Sequence, residues 1–133
     1  DPPELKDVSY RTWDICEFLL EMADRGEMPP RQRAFYATIP YHAPCQLKSQ
    51  GIGMPAINLM ELVPGVTVLE SEEPCCGIAG TYGLKKEKFD IAQAVGKPVF
   101  DFIKPAAGSF ELRQGEVVHP IWLLHKSFGL GEK

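Results

Sequence analysis

Between Asp7 and Arg25, side chains with apolar groups return every three or four residues: Val8, Thr12, Ile15, Leu19 and Met22 mark one face, widened by Trp13, Cys16 and Leu20. That spacing predicts an amphipathic helix with Ser9 as its N-cap, ending at Gly26. "EMPPRQR" follows as a linker, since consecutive prolines cannot continue a helix. "AFYATI" (Ala34 to Ile39) has the β-branched and aromatic content of a strand. Pro40 and Pro44 then confine "PYHAPC" to a fixed turn. Pro55 can open a helix through "AINLMELV", which stops at "PG". "VTVLE" (Val66 to Glu70) is a second strand, and "SEEPCCGIAGTYG" a long loop after it. From Leu84 to Lys104 a helix sets Phe89, Ala92, Gly96, Val99 and Ile103 on one face, with Gly96 and Pro98 expected to kink or split it. "EVVH" (116–119) is a third expected strand, and Pro120 opens a last helix through "IWLLHKSF". Strands that alternate with helices predict an α/β domain on a mostly parallel sheet.

Bulk properties narrow the function more than the fold. The 133 residues suit one domain, 1–133, in which residues 1–30 form an N-terminal helix and linker. A net charge of −4 argues against a nucleic-acid surface, whose footprint is a basic face. No apolar run approaches the roughly eighteen residues needed to span a bilayer. Opening at "DPPELKDVS" without Met or a signal-like segment, the sequence reads as a C-terminal piece of a longer chain. Its four cysteines, Cys16, Cys45, Cys75 and Cys76, are too few and too irregularly spaced for a secreted disulfide scaffold. In a reducing compartment, clustered cysteines more often bind metal or do redox chemistry.

Cys45 and the pair Cys75–Cys76 each sit in a loop that follows an expected strand. Ligands collect at the carboxyl ends of strands in open parallel sheets. Adjacent cysteines make poor disulfide partners, because the small ring strains the S–S geometry. Three thiolates converging on one edge instead suit a soft metal centre, zinc or an iron–sulfur cluster. Pro44 and Pro74 fix the backbone beside them, and Gly77, Gly80 and Gly83 let the chain wrap closely. The bland alternative is three unliganded thiols in a packed loop. His42, spaced His-x-x-Cys before Cys45, either ligates or orients the turn and donates to a sulfur. Cys16, on the apolar face of a helix, reads as a buried core thiol. His119 reads as a capping or anchoring residue and His125 as a structural or exposed one. The "GIAGTYG" glycines lack the Lys-Ser/Thr and the G-x-G-x-x-G pattern of a phosphate cradle.

"PYHAPCQLKSQGIGMPAINLMELVPG" together with "EEPCCGIAGTYGLKKEKFDIAQAVGKPVF" resembles the cysteine-rich CCG domain family, in the form found with anaerobic dehydrogenases of the glycerol-3-phosphate type. The likeness runs from about Thr12 to Phe102 and resumes at "GEVVHPIWLL". It implies a Rossmann-like α/β unit. Cys45 matches the family's lone first cysteine, and Cys75 and Cys76 match its pair, as cofactor and metal ligands. The resemblance implies an iron–sulfur electron-transfer subunit that relays electrons from a flavin-containing subunit towards quinone, held in the cytoplasm against the inner face of the cell membrane. A metal-free docking domain and a heterodisulfide-reductase-like thiol/disulfide domain are the alternatives. The family pattern also demands a Cys-x-x-Cys on a further strand. Between Lys104 and Gly115 this chain reads "PAAGSFELRQ", with Ala107 and Phe110 at that spacing. Either this copy has lost those ligands or a strand is missing from the sequence. With three thiolates alone, the chain is expected to bind metal weakly or not at all. His42 would complete a Cys₃His zinc site as the best rescue within these residues.

Overall fold

A computed structural model describes residues 2–30, 33, 34, 36–106 and 118–130. The N-terminal helix expected over 7–25 is two helices, α1 (Pro3–Tyr10) and α2 (Ile15–Asp24). Asp14 explains the break. Its backbone is extended, and its carboxylate accepts hydrogen bonds from the N–H groups of Cys16 and Glu17 at 2.8 and 3.4 Å. That satisfies two of the amides a helix start leaves orphaned. Ser9 therefore lies inside α1 rather than capping it, and α1 instead starts on Pro3. Val8 and Ile15, expected in the core, are 62% and 47% exposed, because the break rotates them off the buried stripe.

The sheet is a parallel pair, β1 (Ala37–Tyr41) beside β2 (Val66–Glu70), in register Ala37↔Val66 through Tyr41↔Glu70. β1 lies later than the sequence suggests. Pro40, expected in the turn, sits within it, and Tyr41 is its last residue. Pro40 has no N–H to donate to a ladder, and such a residue is tolerated where a strand carries no partner on that side. The connection from β1 to β2 runs through α3 (Cys45–Gln50) and α4 (Pro55–Glu61). α3 was not legible as a helix; "PYHAPC" is the end of a strand, three irregular residues and the first residue of that helix.

After β2, two 3₁₀ turns, Tyr82–Leu84 and Lys86–Lys88, lead into α5 (Phe89–Ala106). α5 is not split at Gly96 and Pro98; it runs continuously with Pro98 and Pro105 inside it. Pro98 forfeits one intrahelical hydrogen bond, while Ala92 and Val99 on the same helix are buried. α6 (Pro120–Ser127) closes the described chain, its first turn capped by Nδ1 of His119, which accepts from the N–H of Ile121 at 3.2 Å. Of the expected strand 116–119, residues 116 and 117 lie outside the described residues, and Val118 and His119 are irregular. The architecture is mixed α/β with a small parallel sheet.

The core is built where α2, α4 and α6 meet. Cys16, Ala56, Leu59, Met60, Val63, Leu123 and Leu124 are buried together, with Leu19, Ile39, Tyr41, Val66 and Val68 packed around them. Both strands thus turn one side to this layer, which holds their carboxyl ends in place. No helix among the described residues is long and apolar enough to cross a membrane.

Candidate metal centre at the sheet's carboxyl edge

Because β1 and β2 run parallel and in register to Tyr41 and Glu70, the chain leaves both strands at one edge. The two departures are tied together: the N–H of Ser71 donates to the carbonyl of Tyr41 at 2.8 Å. From this edge one arm carries His42 and Cys45, the other Cys75 and Cys76. Ser71 itself is buried, and its hydroxyl accepts from the N–H of Glu73 at 3.2 Å. That local turn bends the second arm before it reaches the cysteines. Sequence reasoning passed over Ser71, although a serine directly after a strand is a known turn former.

The Cys-Cys-Gly segment is seated on α5 by two residues that cannot carry side chains. Gly77 has φ of 85°, and a Cβ there would overlap the carbonyl of Ala92. A Cβ on Gly96 would overlap the carbonyl of Cys76. Gly96, read from sequence as a helix breaker, is therefore the place where α5 admits the loop. Beyond Gly77 the backbone stays strained, with Ala79 at φ 42°, a region that side chains rarely tolerate.

The thiols differ in what surrounds them. Cys45 is exposed, and Cys75 and Cys76 are half-buried. Sγ of Cys75 accepts from the N–H of Gly77 at 3.3 Å. All three are free thiols, as is Cys16. Cys16 is 4% exposed, and burial, helped by the nearby Asp14 carboxylate, pushes its thiol up to about 11. It stays protonated and inert.

His42 follows β1 directly and is half-buried. Burial lowers its pKa, the Lys48 charge lowers it further, and Glu73 opposes them. Lys48 belongs to α3, and Glu73 precedes the cysteine pair. Nδ1 of His42 is buried without a hydrogen-bond partner. Of the other histidines, His119 uses Nδ1 to cap α6, and His125 is exposed on that helix.

The structure thus brings His42, Cys45, Cys75 and Cys76 to one edge without gathering them. Among the described residues, no three His, Cys, Asp or Glu side chains stand close enough to hold a metal ion. In donor chemistry these four groups fit a four-ligand soft-metal centre. No cysteine follows Cys76 in the sequence.

A family model described as a cysteine-rich domain, CCG, matches residues 39–108. The chain belongs to the cysteine-rich CCG domain family. The match takes in both arms and all of α5. The CCG chain is 33% identical over 90 residues to one of the subunits of the anaerobic glycerol-3-phosphate dehydrogenase of Escherichia coli, an alignment covering 68% of this chain and 22% of that protein. It is 32% identical over 100 residues to one of the subunits of the fumarate reductase (CoM/CoB) of Methanothermobacter marburgensis, covering 73% of this chain and 19% of the relative. An uncharacterized iron–sulfur protein of Methanococcus maripaludis is 29% identical over 97 residues, covering 71% and 18%. The chain spans about a fifth of the length of these relatives. No solved structure matches it significantly.

Proposed function

We propose that this chain is the cysteine-rich module of an iron–sulfur electron-transfer subunit, with Cys45, Cys75 and Cys76 as the thiolate ligands of its centre. The observation that carries this reading is that both cysteine arms leave one edge of a parallel strand pair, with the pair's backbone seated on α5 through Gly77 and Gly96. Relatives named as iron–sulfur protein and as dehydrogenase or reductase subunits support it. In this reading the domain is a Rossmann-like unit, part of a longer chain, without substrate chemistry of its own. A bound cluster would supply one-electron relay. The chain's own residues would hold it: the thiolates would bind, the Gly77 N–H would orient Sγ of Cys75, and the α2–α4–α6 layer would keep the strand ends fixed. The complex would take electrons from a flavin subunit of the glycerol-3-phosphate type and pass them towards quinone, docked on the inner face of the membrane.

One observation favours a second reading, a metal-free docking domain: the chain offers three loop thiols where the family pattern has five cysteines. A thiol/disulfide role rests on the same cysteines. Iron and acid-labile sulfide analysis on protein purified without oxygen, with an EPR redox titration, separates these. The proposal expects stoichiometric iron and sulfide and a reversible one-electron signal. Colourless protein without iron, active in complex assembly, would establish the docking role instead.

A further inference from the structure

Large apolar side chains scattered singly over a surface are ordinary, but several on one fixed segment are not. Just beyond the cysteine pair, Ile78, Tyr82, Leu84 and Phe89 are all exposed, Leu84 to 72%. The backbone beneath them is pinned. The N–H groups of Tyr82, Gly83, Leu84 and Lys85 donate to the carbonyls of Ala79, Ile78, Thr81 and Tyr82, and that of Lys88 to Lys85, at 2.9 to 3.3 Å. Gly83 seats the segment closely, since a Cβ there would overlap the carbonyl of Gly77 and crowd the methyl group of Ala92 on α5. These side chains are therefore presented on a fixed surface.

Charge identifies what covers this face. The chain carries a net charge of −4, yet within residues 78–89 Lys85, Lys86 and Lys88 stand against Glu87 alone. Nζ of Lys88 lies 5.6 Å from the centre of the Tyr82 ring, so cation and apolar surface adjoin. We infer that the face formed by residues 78–89 docks an acidic protein surface, that of the chain with which this module exchanges electrons. The inference rests on the proposed electron-transfer reading and deepens it. Position supports it: the face begins two residues after Cys76. Electron exchange falls off steeply with distance, so a partner must sit beside the centre. Opposite charge steers such encounters to fast association without requiring tight binding.

Other occupants fit less well. An anionic bilayer recognises clusters of about four to eight cations, and it would repel a chain of this net charge. A second copy would have to offer an acidic apolar surface. The α1–α2 region has one: residues 3–25 carry six acidic and three basic side chains beside exposed Trp13 and Phe18. Pairing that region with residues 78–89 of another copy is a head-to-tail contact, which closes only as a ring and otherwise grows into a filament. A different, acidic chain meets the same chemistry without that consequence.

The test purifies the full chain with its bound partners at low salt and treats the complex with a carbodiimide, which condenses a lysine amine with a touching carboxylate. The inference expects Lys85, Lys86 or Lys88 joined to Asp or Glu of a different polypeptide, with those links lost at high salt. Reversing the three charges together (Lys85→Glu, Lys86→Glu, Lys88→Glu) should slow association with that polypeptide by on the order of 10-fold or more. Leu84→Ser, at an exposed position, should weaken the complex while leaving the thermal midpoint unchanged. A chain that purifies alone, links that arise only from other lysines, or association that survives charge reversal would overturn the docking face. So would links between two copies of this chain, or binding to vesicles of phosphatidylglycerol and phosphatidylcholine that charge reversal abolishes while no link to another protein forms. Iron and sulfide analysis of the same material keeps the two claims apart. An iron-loaded complex without links at these lysines overturns the docking face alone, and an iron-free complex that has them overturns the electron-transfer reading alone.

Discussion

Cys16 and Cys45 both sit in the first turn of a helix, yet the two regions make opposite use of a thiol. At the start of α2, Asp14 caps the helix, and Leu59, Met60, Leu123 and Leu124 share the buried cluster with Cys16. Burial and the neighbouring carboxylate both disfavour the thiolate there. At the start of α3, Pro44 caps without a side-chain bond, and Cys45 faces solvent across the sheet edge from the second cysteine arm. The core region satisfies its groups locally and gains from being closed. The edge region keeps one thiol exposed and two half-buried, a ring nitrogen unpaired and a backbone strained. Reactivity in this fold is therefore a matter of which side of the strand pair a cysteine lands on.

The sharpest way to break the core region is Leu59→Ala, at a fully buried site. It should cost about 2–5 kcal/mol in urea unfolding. If the two regions are independent, any metal bound at the edge of the surviving folded protein keeps its stoichiometry. A change in stoichiometry would show that the regions are coupled.

The alkaline limb separates the thiols next. Folding raises Cys16 from near 9 to about 11, so the unfolded chain releases that proton first. The contribution is complete below pH 9 and lost as pH rises from 9 through 11, on the order of 2 kcal/mol in all. Tyr41, also raised by burial and by Cys16 nearby, adds a loss of the same sign. Urea titrations from pH 8 to 10.5 should show a smaller alkaline slope in Cys16→Ala than in the parent. Equal slopes in Cys16→Ala and the parent would contradict the burial argument.

Gly96→Ala is the corresponding strike at the edge. Its methyl group must displace the Cys76 carbonyl, so a loss of about 1–3 kcal/mol is expected, together with faster alkylation of Cys75 and Cys76. A stable variant with unchanged thiol reactivity would mean that α5 does not seat the loop. Asp14→Ala removes two cap bonds and should lower stability by about 1 kcal/mol, with the loss read in helicity by circular dichroism. An indistinguishable thermal midpoint would mean that the Asp14 cap does not set the boundary between α1 and α2.

Much of this was legible in the residues. The period-2 and β-branched content of Val66–Glu70, the Pro-initiated helices at Pro55 and Pro120 and the burial of Cys16 all follow from local patterning. What escaped was decided by competition between local signals. Ser9 and Asp14 are both acceptable caps, and only the packing of α2 against α4 selects the second. Pro40 reads as a turn because local patterning does not show that β1 pairs with β2 through Tyr41. Gly96 reads as a helix breaker because its use depends on a carbonyl twenty residues earlier in the chain. Of the site, the three cysteines and His42 were legible as candidates, whereas their distance from one another is a property of loop closure that periodicity does not encode.

The central claim is that the edge thiols, and not the core thiol, hold a metal centre. It is tested most directly by metal analysis of the anaerobically purified chain beside two variants, Cys16→Ala and Cys75→Ala. The account predicts bound iron with sulfide, or zinc, retained in Cys16→Ala and lost in Cys75→Ala while the fold persists. Metal that survives Cys75→Ala unchanged, or is absent from the parent, would contradict it.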